Sequence, residues 1–266
     1  MDNDDVMIGR LLSRREVLAL FGAAGAALVV ACSSDGKATA TATRTASSTP
    51  ASTATKAAAT QASATSASAS APSCIVRPAM TEGPYFVDEK LNRSDIRIEP
   101  SDNSIKEGAP VALAFNVSQV GSAGACTALS GATIDVWHCD AAGMYSDVSD
   151  PGFQTTGKKF LRGYQATDAN GQAQFTTIYP GWYQGRTVHI HFKIRATTGH
   201  EFTSQLFFDD SLTDAVHAKA PYAAKGRRTL RNSGDNIYNG GGDQLLLAVT
   251  PSGDGYATTF DIGLQF

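Results

Sequence analysis

The sequence predicts an all-β head, a two-sheet β-sandwich with one short helix, set behind a targeting segment and a long tether. Three observations carry that reading. From residue 110 onward, apolar and β-branched residues come in short runs with a period near two; turn residues separate the runs; and no βαβ alternation or internal repeat interrupts them. In chain order, PVALAFNVSQV (110–120) alternates, and GATIDVWHCD (131–140) is rich in β-branched and aromatic residues. GQAQFTTIYP (171–180) follows the turn signal Asp168-Ala169-Asn170-Gly171. RTVHIHFKIRA (186–196), EFTSQLFF (201–208), QLLLAVTP (244–251) and YATTFDIGLQF (256–266) are each bounded by Gly, Asp, Asn or Pro. The one expected helix is SLTDAVHAKA (211–220), with Ser211 as N-cap and Pro221 just beyond its end.

Upstream of the head the chain changes character twice. Residues 1–32 read as a signal segment in which Arg14 and Arg15 precede the apolar run Val17 to Val30. That run is shorter than the about 20 residues a membrane span requires, and it has the proportions of an export signal. The adjacent arginines resemble a twin-arginine signal, and Met7 is a better-placed initiator than Met1 for a positively charged start. Val29-Val30-Ala31-Cys32 looks like a lipobox, which makes Cys32 the expected lipidation site; cleavage near Ala38-Thr39-Ala40 is the alternative. Residues 33–73 are dominated by Ala, Ser and Thr without apolar periodicity, so they read as a disordered tether with a reach of roughly 35 Å. The head is Cys74 to Phe266. Its cysteines, Cys74, Cys126 and Cys139, are odd in number, which suggests one pair and one spare in an oxidising location.

Charge excludes some functions. With 22 basic against 25 acidic residues and a formal charge of −3, nothing favours nucleic acid or an anionic membrane as partner. The chemistry-bearing signal is His189-Ile190-His191 inside a strand. Side chains at i and i+2 share a face, roughly 7 Å apart along the chain, so two imidazoles can converge on one metal. Tyr183 lies upstream across Pro180-Gly181 and Gly185, where the chain can fold back, and Tyr145 follows the Asp140-Ala141-Ala142-Gly143 turn. Two phenols and two imidazoles differ from zinc's usual Cys and His set. Deprotonating phenols of reference pKa about 10 calls for a strongly Lewis-acidic ion, which points to Fe(III).

At this point the chain resembles the intradiol ring-cleavage dioxygenases, the catechol 1,2- and protocatechuate 3,4-dioxygenase-like enzymes, and within them the compact secreted branch. The resemblance covers about residues 74 to 266 and rests on TEGPYF then RSDI, GATIDVWHCDAAGMYSD, RGYQATDANGQAQFTTIYPGWYQGRTVHIHFK and TSQLFFDD. It implies a sandwich of the immunoglobulin or prealbumin type with long active-site loops. It also implies a single non-haem ferric ion bound by Tyr145, Tyr183, His189 and His191. Arg186 matches the arginine that stabilises the activated substrate, Gln205 the glutamine lining the pocket, and Gly83, Pro84 and Tyr85 a segment bordering the substrate. In that mechanism Tyr183 leaves the metal and accepts a substrate proton, the metal activates the ring rather than O2, and the product is a cis,cis-muconate-type diacid.

For the remaining candidates the plain readings are structural. His138 is expected near the Tyr145 turn as a supporting residue, His200 and His217 as exposed, and Trp137 and Trp182 as core or pocket wall. Lys225, Arg227, Arg228 and Arg231 read as a solvated loop, with reception of a carboxylated aromatic as the alternative. The competing function is a non-catalytic β-sandwich module that binds a cell-surface polymer or a catechol-type ligand. A zinc hydrolase lacks an evident third ligand.

Overall fold

The computed structural model describes residues 75–122 and 124–265. The signal segment, the tether, Cys32 and Cys74 lie outside the described residues. Two sheets make up the head. The first carries β1 (Pro110–Val120), β2 (Cys126–Ala128), β7 (Gln172–Ile178), β10 (Thr250–Ser252) and β11 (Gly255–Leu264). In it β1 pairs in parallel with β11 and antiparallel with β7 and β2. The second runs in the order β6 (Arg162–Ala166), β3 (Thr133–Trp137), β8 (His189–Arg195), β9 (Glu201–Phe207), antiparallel throughout. A hairpin, β4 (Ser149–Asp150) with β5 (Phe153–Gln154), stands apart.

Period-two burial explains why these segments form a sandwich. Val111, Leu113, Phe115 and Val117 of β1 point into the core, as do Ile190, Phe192 and Ile194 of β8. Phe192 meets Phe115 at 5.4 Å and Phe260 at 5.6 Å between ring centroids, so aromatic packing joins the two layers. Removing one such ring would cost about 3–5 kcal/mol. An exposed pair such as Lys158–Asp102 is screened by water and adds little, so the core dominates the fold's stability.

The expected strands at 110–120, 171–180, 186–196, 201–208 and 256–266 form with bounds shifted by up to three residues, and that at 131–140 forms only over Thr133–Trp137. The Asp168 turn forms as read: Asp168 Oδ1 accepts from the amides of Asn170 and Gln172 at 2.8 Å each, and a Cβ at Gly171 would lie 2.2 Å from the Val117 carbonyl oxygen. QLLLAVTP is a correction. Gly242–Leu245 is a 3-10 turn, Leu246 makes one isolated bridge to Phe207, and only Thr250–Ser252 pairs as a strand. Leu245 and Leu247 pack inward beneath the β9 edge, so the apolar run reflects burial and not a ladder.

The helix α1 (Asp210–His217) is shorter than expected, and its N-cap is Asp209, not Ser211. Asp209 Oδ1 accepts from the amides of Ser211 and Leu212 at 2.8 and 2.9 Å, and its charge suits the positive end of the helix. His217 is buried, not exposed: its Nε2 donates to the Pro180 carbonyl at 2.9 Å and its ring stacks on Tyr222. His200 is exposed as expected. The basic cluster is largely committed. Arg228 pairs with Asp210 and Asp214, Arg231 pairs with Asp214, and Lys225 donates to the carbonyls of Ala142 and Trp182, while Arg227 is exposed. Cys126 is disulfide-bonded and Cys139 is a buried free thiol.

His138 links the layers. Its Nδ1 faces the Cys139 carbonyl at 2.8 Å and therefore carries the proton, leaving Nε2 to accept from the Thr177 hydroxyl on β7 at 2.6 Å. Burial pulls its pKa from 6.5 down to about 4. The unfolded chain takes up this proton below about pH 6.5 while the folded chain resists, so stability falls as pH drops through that window, by on the order of 2 kcal/mol at pH 5. His138→Gln, which does not titrate, should shrink the stability difference between pH 7 and pH 5 by about that amount in urea unfolding. An unchanged difference would exclude His138 as its source.

Candidate metal centre

The parity of β8 sets the site. Ile190, Phe192 and Ile194 face the core, so His189 and His191 occupy the opposite face together, both buried. Register then aligns neighbours across four strands: Arg162 of β6 opposes Trp137 of β3, Trp137 opposes His191, and His191 opposes Gln205 of β9. Trp137 stacks on His191 with centroids 5.0 Å apart and planes 9° from parallel. The Nε2 atoms of His189 and His191 lie 3.0 Å apart.

Two loops bring the phenols to this point. After β3, Asp140 Oδ1 accepts from the amides of Ala142 and Met144 at 3.0 Å each, which closes the turn that delivers Tyr145. The loop after β7 carries Tyr183. The two loops touch backbone to backbone: a Cβ at Gly143 would lie 2.2 Å from the Trp182 carbonyl oxygen, and one at Gly181 would lie 2.5 Å from those of Asp140 and Ala141. Only glycines allow that approach, and Gly143 also has φ +80°. The Tyr145 hydroxyl reaches 3.4 Å from His189 Nε2 and that of Tyr183 reaches 3.3 Å.

Thus the four predicted donors converge. An ion bonded at about 2.1 Å to adjacent donors at right angles has donor-to-donor edges of about 3.0 Å. The three edges at His189 Nε2, 3.0 to 3.4 Å, therefore fit a single metal ion. His189 Nδ1 donates to the Thr187 carbonyl at 2.7 Å, which leaves the Nε2 lone pair facing inward. Burial pulls the His189 pKa down to about 3 and that of His191 well below 6.5, so both imidazoles are neutral near pH 7. Burial raises Tyr145 well above 10 and pushes Tyr183 up to about 12. An ion entering here must displace two phenolic protons, which favours a hard, strongly acidic cation. Among the described residues no three His, Cys, Asp or Glu side chains converge on a shared point.

The other predicted residues gather around the tetrad. Gly83 sits against His191, where a Cβ would be 3.2 Å from its Cε1. Tyr85 stacks on Tyr145 at 4.5 Å and meets Tyr183 edge-on at 6.2 Å, while Pro84 is exposed in the turn between. Arg186 Nη2 donates to Gln205 Oε1 at 2.6 Å, and Gln205 Nε2 donates to the Thr81 carbonyl at 2.9 Å. Trp137 is core, and Trp182 is a partly buried wall whose indole donates to Gly226.

Three residues escaped the sequence reading. Asp235, 1% exposed, accepts from Arg186 Nε at 3.0 Å and from the Thr187 amide at 2.7 Å. Arg162, 2% exposed, donates to the Ser146 carbonyl and hydroxyl and to the Tyr85 carbonyl, which ties the Tyr85 segment to the Tyr145 loop. Asp150 accepts from the Tyr85 hydroxyl at 2.8 Å. The available hints were Arg162 in RGYQATDANG and the turn residues of SGDN, but the partners lie too far off in sequence to be paired by spacing.

The fold recurs among known proteins. Residues 81–265 match a family described as Dioxygenase. An intradiol ring-cleavage dioxygenase from Tetranychus urticae is similar in structure, with TM-score 0.64 and 29% identity over 72% of this chain and 95% of that one. The dioxygenase domain of a dioxygenase carbohydrate-binding protein fusion from Streptomyces sp. SirexAA-E is similar at TM-score 0.51 and 30% identity, over 72% and 99% of the two chains. A chlorocatechol 1,2-dioxygenase from Pseudomonas putida is 30% identical over 114 residues, 35% of this chain and 42% of that protein. The chain spans about half the length of the curated relatives it matches.

The loop contact makes a graded prediction. Gly143→Ala adds a clash to an unfavourable φ and should cost about 1–3 kcal/mol or more in urea unfolding. Gly185→Ala, at φ +92° with open space around it, should cost about 1 kcal/mol. Equal costs would mean that the two loops are not held in contact.

Proposed function

Since the chain belongs to the intradiol ring-cleavage dioxygenase family, we propose that its head is a mononuclear, non-haem Fe(III) enzyme that opens a catecholic ring between the two hydroxyl-bearing carbons with O2. The product is a cis,cis-muconate-type diacid. The observation that carries this reading is the convergence of Tyr145, Tyr183, His189 and His191 on one point.

The histidines would hold the ion through Nε2 and the tyrosines through their phenolate oxygens. When bound, ferric iron supplies electron withdrawal from a chelated catecholate, so that O2 can attack a ring carbon. The chain's residues do the rest. Tyr145 is 1% exposed and clamped by the Tyr85 ring, which suits a permanent ligand. Tyr183 sits on a partly exposed loop, and its phenolate oxygen is the acceptor for a proton from the entering diol. Arg186 keeps its charge: burial lowers its pKa, but Tyr183 and Asp235 outweigh that and raise it. A fixed cation stabilises negative charge on the ring where water is scarce. Gln205 orients that cation, and Gly83 and Tyr85 form the wall over the ring. A non-catalytic binding module would have no use for two buried phenols beside a buried guanidinium.

The twin-arginine pattern and Cys32 support an exported head tethered to a membrane by a lipid, outside the cytoplasm. The folded-export route would let iron be acquired before translocation. If so, replacing Arg14 and Arg15 by Lys should leave holoprotein in the cytoplasm on cell fractionation, whereas normal export of the holoprotein would count against it.

Purified protein loaded with iron should be red-brown from phenolate-to-Fe(III) charge transfer, with a visible band that shifts on anaerobic addition of catechol. A colourless loaded protein favours the binding module. Tyr183→Phe should retain iron better than His191→Ala yet lose turnover by about 100-fold or more, measured as muconate formation. Unchanged turnover in both variants refutes the site.

A further inference from the structure

Arg186 is held by more than the family resemblance assigns. Its Nε donates to Asp235 Oδ2 at 3.0 Å and its Nη2 to Gln205 Oε1 at 2.6 Å. Anchors on two different nitrogens fix the plane of a guanidinium, whereas one anchor leaves it free to pivot. Asp235 is itself immobilised. Oδ2 also accepts from the Thr187 amide at 2.7 Å, and Oδ1 accepts from the amides of Ile237 and Tyr238 at 2.8 and 3.2 Å. The segment after α1 is thereby stitched to the residues leading into β8, and Arg186 is locked beside the tetrad.

Charge leads to the second half of the argument. Asp235 is 1% exposed and Arg186's side chain 15%, so the two charges balance each other with little help from water. Three cations of the loop after α1 have other commitments. Lys225 caps the carbonyls of Ala142 and Trp182, and Arg228 and Arg231 pair with acidic residues of α1. At the Tyr85 wall, the nearest charged partner of the phenol is the Asp150 carboxylate. A carboxylate carried on an incoming ring would therefore meet a cation already paired with Asp235 and a second anion at the wall.

Resting on the dioxygenase reading, we propose that Asp235 is a positioning and specificity-determining residue: it aims the Arg186 guanidinium at the bound ring and offsets part of its charge, so that the site selects catechols without an additional anionic ring substituent.

The test uses iron-loaded full-length protein. Wild type is first assayed for conversion of catechol to muconate; no turnover there sinks the dioxygenase reading itself. Given active wild type, Asp235→Asn should keep its iron content and red-brown band but lose about 10- to 100-fold in kcat on catechol, the usual loss on removing a supporting partner. In anaerobic spectral titration it should bind benzoate, a carboxylated ring without the diol, about tenfold more tightly than wild type, because Arg186 is left unbalanced. Asp235→Glu separates aim from charge: kcat should fall while benzoate affinity stays within about twofold of wild type. Wild-type kcat in either variant, or benzoate affinity that fails to rise in Asp235→Asn, overturns the proposal.

Discussion

The alternation of β8 between core and site is the constraint on which the rest depends. Ile190, Phe192 and Ile194 are fully buried against the opposite sheet, and that burial fixes the strand's parity. Each large apolar side chain is worth about 1.5–3 kcal/mol in the core, so a one-residue slip, which would send all three outward, is excluded by several kcal/mol. His189 and His191 inherit their common face from that preference. Antiparallel pairing then carries the order sideways, placing Arg162, Trp137, His191 and Gln205 in one row across four strands. The apolar core thus sets the geometry of a polar centre on the far side of the same sheet.

What could be read from the sequence followed from how local each feature is. His-x-His needs only strand parity, and the two tyrosines need only a turn after a strand, so the gathering of these four side chains was legible. Asp235 was not, because its bond to Arg186 spans 49 residues and depends on where the chain after α1 returns. Arg162 was missed for the same reason, since its strand was not expected and its acceptors belong to two other segments. Ser211 lost the cap to Asp209 because either residue can cap, and the choice turns on where the first helical turn begins. QLLLAVTP looked like a strand because burial of Leu245 and Leu247 beneath β9 gives the same apolar signal as a ladder. His217 looked exposed because its acceptor, the Pro180 carbonyl, belongs to the Tyr183 loop 37 residues upstream.

That last contact shows how the fold supports the phenol carried on the loop after β7. Tyr183 has no strand beneath it. Its loop is gripped by His217 of α1 at Pro180, by Gly181 against the Tyr145 loop, and by Lys225 at the Trp182 carbonyl. All three holds lie N-terminal to Tyr183, and Gly185 stands in open space on the other side. Beyond Gly185 the chain is held again, because Arg186 and the Thr187 amide both donate to Asp235, so the loop is anchored at both ends with Gly185 as its one open point. Tyr145, by contrast, is pressed between Tyr85 and the protein interior.

The cations around the site divide into two kinds, and the division bears on whether the head is a catalyst or a scaffold. Arg162 is satisfied by neutral oxygens of Ser146 and Tyr85, and burial pulls its pKa down to about 10. Arg186 has a carboxylate partner and a pKa raised above its usual value. Burying either charge is unfavourable, and a well-packed apolar residue would stabilise a scaffold as well or better. A binding module under no chemical demand has no reason to bear both beside two phenols whose protons are hard to remove. The arrangement would make sense where negative charge arises at those phenols and at a bound ring, because Arg162, with neutral partners alone, and Arg186, beside Asp235, would then both lie next to new anions.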